Sequence, residues 1–559
     1  MNRNDETLVY GIPQLFHERY YHPYSVRRKT TGNLGEIKPI YTSILVQPGD
    51  TISMSLRSFI KMTTSLFPSM DNICCDIYAF ADDWQNLWTH TKEFWGEDQA
   101  TPFEQLTEYT VPQFVIKPGD AVENHDIIND ISVPMMAANK GSIPTITRTN
   151  DIEVERLSYN AYIDWYNSYM RDQNYIAKVP FSTGDEDITY TNLSQKKLLK
   201  AARLHDYFQG APEPQKWGPE FLPIGTEAPV KGTGEALGLT NGTNDGAMIN
   251  IAGSYGALAP SLMDLATTAG TANTGHTTEY TSWGNVVTGI TEDGSKSGMI
   301  TDLTNVIGAT INALRLTAAT QQIKEELMWY GARFEEIIFS QWGVGINPAT
   351  MRIPEYLGGQ RFWLNMDTVI QTSETSNTSP LGDSAGYSTT YNEQFLFTKS
   401  FTTWQVLMIV VVLRQDHTYA QGIANQFSKK RKFEFYWDKF AGIGAQPRKV
   451  KEICVNGTSN DEDTWNFAPA FREYRSEVDR ATGLMQPGVQ DTLANYTYTD
   501  EYTSIPNSGQ SWIEEVPTYV DRTLVVPSTT TDQFIMDFEF DIKKTSIVHN
   551  YQLPGLDKL

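Results

Sequence analysis

Phe534, Met536, Phe538, Phe540 and Ile542 stand at alternate positions near the C-terminus, with Asp537, Glu539 and Asp541 between them. This pattern allows one solution. A one-residue slip would turn the five apolar side chains to water and carry the acids inside, so the segment is a strand of fixed register. Such a strand needs one dry face and one wet face, the situation of an antiparallel sheet lying on a core. The other end of the chain repeats the device. Ile52, Met54 and Leu56 alternate with Ser53, Ser55 and Arg57, after a turn at Pro48-Gly49-Asp50 and a strand over 41–47. Residues 73–80 predict another strand, and so does Phe114-Val-Ile116 before a second Pro-Gly-Asp turn at 118–120. The run Trp404 to Leu413 is broken only by Gln405. It is too short for a spanning helix, which needs about 20 residues, and reads as a strand buried on both faces. Strands at both ends, with other material between, predict a mainly β, antiparallel barrel or sandwich closed late by its C-terminal strand.

The middle of the chain carries helices and loops. Tyr159, Tyr162, Tyr166 and Tyr169 mark one face of a helix within 152–172, a stripe that suits packing. A second helix is expected over Leu193 to Leu204, stopped by Pro212. Leu303, Ile307, Ile311, Leu314, Ala318, Leu327, Tyr330, Phe334 and Ile337 predict a long helix capped by Thr301 or Asp302, bent at Gly331 and followed by Gly343. Between the two, residues 226–300 are rich in Gly, Thr, Ala, Ser and Asn and have no apolar period. They read as a surface insertion, with Tyr255, Tyr280 and Trp283 as anchors. The expected organisation is an arm at 1–40, first strands with helical insertions at 41–225, the insertion at 226–300, and the long helix, remaining strands and tail at 301–559.

The most unusual stretch is Arg203-Leu-His205-Asp206-Tyr207-Phe208-Gln-Gly-Ala-Pro212-Glu-Pro214-Gln-Lys-Trp217-Gly, running on to Gly225. It is too rich in proline for a helix or a central strand. It is too aromatic for a disordered linker. The expectation is a rigid irregular segment packed against the body of the protein, with Trp217 and Phe221 among its contacts.

Chemistry is approached and missed. His17-Glu18 with His22 has one residue too many for the zinc motif that sets two imidazoles on one helix face. Gly289 to Ser297 departs from a phosphate-binding loop because Ser295 separates Gly294 from Lys296. Gly232, Gly234 and Gly238 miss the dinucleotide spacing by one. His205-Asp206 has the look of a general-base pair but no nucleophile beside it. Asp185-Glu-Asp187 and Asp461-Glu-Asp463 lack the twelve-residue calcium pattern and read as solvated turns. Cys74 and Cys75 are adjacent, hence on opposite faces of a strand, and Cys454 stands alone, which excludes a disulfide framework. No cofactor or metal is expected. The N-terminus shows no apolar signal core, so a soluble chain made in a reducing cytoplasm is expected, without membrane insertion.

The net charge is −23, the wrong sign for a dedicated nucleic-acid binder. Two basic clusters stand against it: Arg27-Arg28-Lys29, and Lys429-Lys430-Arg431-Lys432 just before Phe433-Glu-Phe-Tyr-Trp437. Cations beside aromatics neutralise phosphates and stack on unpaired bases. The same clusters could equally be subunit-interface patches that meet the plentiful carboxylates, but their contrast with the acidic background favours an interior face toward nucleic acid for both.

The segment from Arg203 to Gly225 closely resembles a signature of the major capsid proteins of microviruses, notably the gokushovirus branch. Further blocks resemble the family in order along the chain: residues 65–72, Asp164-Trp-Tyr-Asn with Arg171-Asp-Gln-Asn174, Arg352-Ile-Pro-Glu-Tyr-Leu-Gly-Gly359, Phe435-Tyr-Trp437 with Lys451-Glu-Ile453, Glu473-Tyr-Arg475 with Thr482-Gly483, and Pro554-Gly-Leu556. Ile353 is an extra residue. Gln209-Gly210-Ala211 and Glu213 depart from the family's usual residues. The resemblance implies a single eight-stranded antiparallel jelly-roll barrel with large inserted loops and several helices. It implies a homo-oligomer of pentamers that forms the simplest icosahedral shell around circular single-stranded DNA. The assembly site would be the bacterial cytoplasm. Implied partners are an internal scaffolding protein, a DNA pilot protein, a small basic DNA-binding protein and a host surface receptor. Residues 226–300 would build the threefold protrusions. Without the resemblance, a β-rich cytosolic carbohydrate-active enzyme or a sugar-binding jelly-roll module would fit the same patterning.

Overall fold

The computed structural model describes residues 18–97, 107–135, 150–221, 311–345, 347–370 and 384–551, together with the backbone of short strands between 230 and 301. Two compact units make up the chain: Met1–Lys216 with Glu325–Leu559, and Trp217–Lys324. The larger unit is mainly β. Its long strands are β1 (Tyr20–Gly32), β2 (Lys38–Val46), β3 (Thr51–Met62), β4 (Ile73–Asp83), β5 (Glu355–Trp363), β6 (Thr390–Ser400), β7 (Gln405–Gln415) and β8 (Phe534–Ser546). They form two antiparallel four-stranded sheets, ordered β1-β8-β3-β6 and β5-β4-β7-β2.

The C-terminal alternation is realised as read. β8 lies between β1 and β3, so the last long strand joins the first and the third. Its five apolar residues are buried in one core with Met54, Leu56 and Ile60 of β3, and with Cys75, Ile77 and Ala79 of β4. Fully burying side chains of this size contributes about 1.5–3 kcal/mol each. The turn between β2 and β3 is the expected one. Gly49 has φ +89, and the buried Asp50 accepts from Gln47 N at 3.0 Å and pairs with Lys544 at 2.7 Å.

β7 shows no alternation because both of its faces are dry. Leu407, Ile409, Val411 and Leu413 join the core that holds β8. Val406, Met408, Val410 and Val412 join a second core on the opposite face, with Phe80, Tyr159, Tyr162, Trp165 and Tyr166. Tyr159, Tyr162 and Tyr166 of the stripe are thus packing, as expected, whereas Tyr169 is exposed. The helix α1 (Leu157–Trp165) continues as a π-turn over Tyr166–Met170, and Trp165 stacks on Phe80 at 4.7 Å. Cys74 and Cys75 are buried and unbridged.

Three expectations are corrected. Residues 20–32, read as arm, form β1. Their sequence hides the strand because β1 is a sheet edge with both faces largely wet. Leu193 to Leu204 is not a helix. It runs extended, and its backbone bonds to both sides: Ile37 N to Leu199 O, Ala201 N to Gly35 O, Arg203 N to Ile513 O and Glu515 N to Ala201 O. Tertiary pairing overrides the helix propensity of its Lys, Leu and Ala residues. The long helix is two helices, α2 (Ile311–Tyr330) and α3 (Phe334–Trp342). Gly331 breaks rather than bends it, at φ +103, and Gly343 ends α3 at φ +66 with its N–H on Phe339 O. The expected start at 301–310 lies outside the described helix.

In the smaller unit, Val230–Gly232 pairs with Met299–Thr301, and Gly238–Thr240 with Ile249–Asn250 and Val287–Thr288, all antiparallel. Tyr255, Tyr280 and Trp283 lie outside the described residues. Among those residues no helix is long and apolar enough to cross a membrane.

Candidate assembly surfaces

The segment after the extended strap is fixed at its first residue. Arg203 is fully buried and ion-paired with the equally buried Asp500. His417 sits beside them, with Nδ1 2.7 Å from Asp500 Oδ1 and Nε2 3.1 Å from Glu515 Oε2. Tyr502 donates to Asp500 at 2.7 Å, and the Arg203 guanidinium lies 4.9 Å from the Trp512 ring centre. Two cations and two carboxylates therefore share one dry pocket. Burial and Arg203 oppose a charge on His417, but Glu515 and Asp500 outweigh them and raise its pKa to about 9. Burial also opposes charge on Asp500, and Arg203 with His417 overcomes it, holding that carboxyl well below the usual range. Sequence reasoning missed this hub, because its members lie on four separate stretches and form no motif.

The next residues are locked without chemistry. Asp206 accepts from Phe208 N at 2.9 Å, from Gln209 N at 3.2 Å and from the Tyr419 hydroxyl. Arg472 ties down the carbonyls of Asp206 and Gln209. Tyr207 donates to Glu452 at 3.1 Å, and Phe208 meets Tyr419 and Trp465 edge-on. A Cβ on Gly210 would stand 2.2 Å from the Phe467 carbonyl oxygen, and Ala211 pairs its backbone with Phe467. That close approach is why the segment takes small residues here. Asp206, rather than the exposed His205, holds the loop. Pro212 is exposed and Pro214 half-buried. Trp217 and Phe221 were expected to pack, but they are 73% and 78% exposed. They lie past Lys216, where the first segment of the larger unit ends.

The first basic cluster divides. Arg27 belongs to a ladder that crosses all four strands of the first sheet on its wet face: Glu393 of β6, Arg57 of β3, Glu539 of β8 and Arg27 of β1. Arg57 meets Glu393 at 3.1 Å and Asp541 at 2.9 Å, and Arg27 meets Glu539 at 3.0 Å. Arg28 and Lys29 are exposed and line an open cleft of about 710 Å³ with Phe59, Asn124 and Asn129.

The second cluster divides as well. The Lys429 side chain is 5% exposed, paired with Glu473 and 4.8 Å from the Tyr474 ring centre. From Lys430 onward the chain lifts into solvent, and every residue from Lys430 to Lys439 is exposed. This ridge is ordered internally. Glu434 accepts from the Arg431 backbone N–H at 3.1 Å, Trp437 Nε1 donates to Lys432 O at 2.8 Å, and Lys432 Nζ sits 4.7 Å from the Phe433 ring centre. Phe433, Phe435, Tyr436 and Trp437 are 46–61% exposed. Four aromatics bared in five positions make this ridge a candidate contact surface.

The acidic clusters are engaged in structure. Asp185 accepts from Trp88 and His90, and Glu462 pairs with Lys449 and Lys451. Among the described residues no group of three or more His, Cys, Asp or Glu could hold a metal ion.

Comparison with known proteins agrees with an assembly role. The family model described as capsid protein (F protein) matches residues 12–556. Capsid protein VP1 of Bdellovibrio phage phiMH2K is 29% identical over 99% of this chain and 98% of its own length. Capsid protein VP1 of Spiroplasma virus 4 is 30% identical over 94% of this chain and 93% of its own. Capsid protein VP1 of Chlamydia phage 1 is 27% identical over 95% and 94%.

Proposed function

The chain belongs to the phage capsid protein (F protein) family, a structural protein of the virion and not an enzyme, and from that premise we propose how it builds a shell. The two four-stranded sheets are the two halves of one eight-stranded jelly roll. The observation that carries this is the strand order: the first, eighth, third and sixth long strands in one sheet, and the fifth, fourth, seventh and second in the other. Copies assemble through pentamers into the simplest icosahedral shell around circular single-stranded DNA. Assembly takes place in the host bacterial cytoplasm, alongside a scaffolding protein, a DNA pilot protein and a small basic DNA-binding protein. Residues 226–300 supply the surface protrusions that meet a host receptor.

The two basic clusters take different roles in this reading. Arg28 and Lys29, beside the cleft with Phe59, face the genome, since they are exposed cations with an aromatic and two amides next to them. Lys430, Arg431 and Lys432 belong to a subunit contact, since they crown an aromatic ridge and Lys429 behind them is already neutralised. The test is particle imaging with DNA quantification. Arg28→Ala with Lys29→Ala should give shells of normal size and lowered DNA content. Normal DNA content would remove the genome assignment. Deletion of residues 235–295 should leave folded, assembling subunits without protrusions. Loss of folding would place the insertion in the core.

A further inference from the structure

The two helices after the insertion present aromatic side chains that the described residues leave bare. Tyr330 at the end of α2, and Phe334, Phe339 and Trp342 of α3, are 64–70% exposed, and no residue of α3 is buried. Tyr330 and Phe339 line an open cleft of about 810 Å³ whose other walls are Glu326, Glu335, Glu336 and Ser340. The cleft is thus lined by two exposed aromatics and three half-buried carboxylates. Glu336 is committed to the helix start, where it accepts from Arg333 N at 3.0 Å and Gln173 Nε2 at 2.7 Å, and Glu326 accepts from Gln341 at 2.8 Å. Those bonds, with the Arg333–Glu336 ion pair at 2.8 Å, fix both carboxylates in place.

The ridge has the opposite character. It offers Phe433 and Trp437 flanked by Lys430, Arg431, Lys432 and Lys439, all exposed. Of its two carboxylates, Glu434 is turned back onto the Lys430 and Arg431 backbone, and the exposed Asp438 lies 3.5 Å from the Tyr436 hydroxyl, so the ridge keeps four cations against two acids. Aromatics among cations and aromatics among carboxylates are complementary both in apolar area and in sign.

We propose that the ridge Lys430–Lys439 of one copy docks on the α2–α3 cleft of a second copy of this chain, with Phe433 and Trp437 on Tyr330 and Phe339 and the cations against the cleft's carboxylates. The inference rests on the subunit-contact reading of the second basic cluster and names the surface it meets. Both halves are already bare on one chain, so the occupant need not be foreign. A contact with unlike halves leaves one half, a ridge or a cleft, free on each copy added, which is what growth of a ring or shell requires. The alternative occupant of the ridge, single-stranded DNA, would leave the acidic cleft unexplained.

Charge reversal and cross-linking test this in cells producing the whole phage. Reversing the cleft carboxylates (Glu326→Lys with Glu335→Lys) or the ridge (Lys430→Glu with Lys432→Glu) should each lower particle yield at least tenfold, and combining the two should restore it. A Phe339→Cys, Trp437→Cys chain should form inter-copy disulfides in particles, with neither single cysteine doing so; the native cysteines are buried. The proposal is overturned if the combined reversal yields no more than either alone, if the paired cysteines do not cross-link, or if ridge variants assemble fully and lose only DNA. Unchanged melting of the purified variant subunits would confirm that yield reports docking and not folding. Failure of the unaltered chain to form particles would instead count against the shell-building reading.

Discussion

Two aromatic stretches of this chain look alike in sequence and behave as opposites. Tyr207-Phe208, between Arg203 and Ala211, is sealed in the interior, whereas Phe433 to Trp437, between Lys430 and Lys439, stands in water. Each is flanked by cations. In the first the cation Arg203 has a buried carboxylate of its own, Asp500, and the backbone on either side is bonded to other segments. In the second only Lys429 has such a partner, and after it the chain bonds mainly to itself. What separates interior from contact surface is therefore where the neighbouring charges and backbone groups are satisfied, not aromatic content.

The sharpest way to break this contrast is at the hub. Asp500→Ala leaves Arg203 and His417 buried without their shared counter-ion, which should destabilise the subunit by about 3–5 kcal/mol in denaturant unfolding. A loss below about 1 kcal/mol would mean that water reaches the site and that it is not an anchor. Phe208→Ala should follow at about 3–5 kcal/mol, with the lower end expected if Tyr419 and Trp465 collapse into the space.

The hub should also respond to pH with a definite sign. His417, and separately His125 between Asp532 and Glu36, are raised to about 9. For His125 the hydrogen bonds to Asp532 and Glu36 are the main causes. A histidine raised above its unfolded value of about 6.5 binds more protons when folded, so its stabilisation is complete below that value and disappears as pH climbs through about 9. Subunit stability should fall from neutral to mildly alkaline pH, and His417→Gln with His125→Gln should flatten that slope. A stability that rises over this window would show both imidazoles to be neutral.

Legibility followed the same physics. β3 and β8 could be read because each has one wet and one dry face, and β7 because it is dry on both. β1 could not, since an edge strand with two wet faces leaves no apolar period. The strap at 193–204 was misread because its helix-forming residues are overruled by hydrogen bonds to residues 35–37 and 513–515, which no local signal announces. The signature segment was legible as rigid, yet its cause was not: His205-Asp206 drew notice, while the residues that matter electrically, His417, Asp500 and Glu515, lie far along the chain. The basic clusters were visible as charge. Their division into paired Arg27 and Lys429 and exposed neighbours depends on cross-strand register and on Glu473.

Smaller effects belong to the wet face of the first sheet. The ladder from Glu393 to Arg27 joins exposed groups, so Arg27→Ala should shift unfolding only slightly. That shift should vanish in about 1 M salt, where charges are screened within about 3 Å. A shift that survives high salt would show the arginine stem, and not its charge, to be the contributor.

The smallest effect on the isolated subunit is expected from the ridge itself. Phe433→Ala with Trp437→Ala removes two large side chains, the same kind of deletion that is severe at Phe208. Both are already about half or more exposed, and the hydrogen bond lost is one from Trp437 Nε1 to a solvent-facing carbonyl. Surface changes of this kind stay within about 0.5 kcal/mol. Particle yield should nevertheless fall steeply, because burial of those rings happens only when copies meet. If the double variant instead destabilises the lone subunit by several kcal/mol, the ridge is part of the fold, and the contrast with Tyr207-Phe208 disappears. If it changes neither stability nor yield, the ridge is bare in the particle too, and its aromatics need another explanation than contact between subunits.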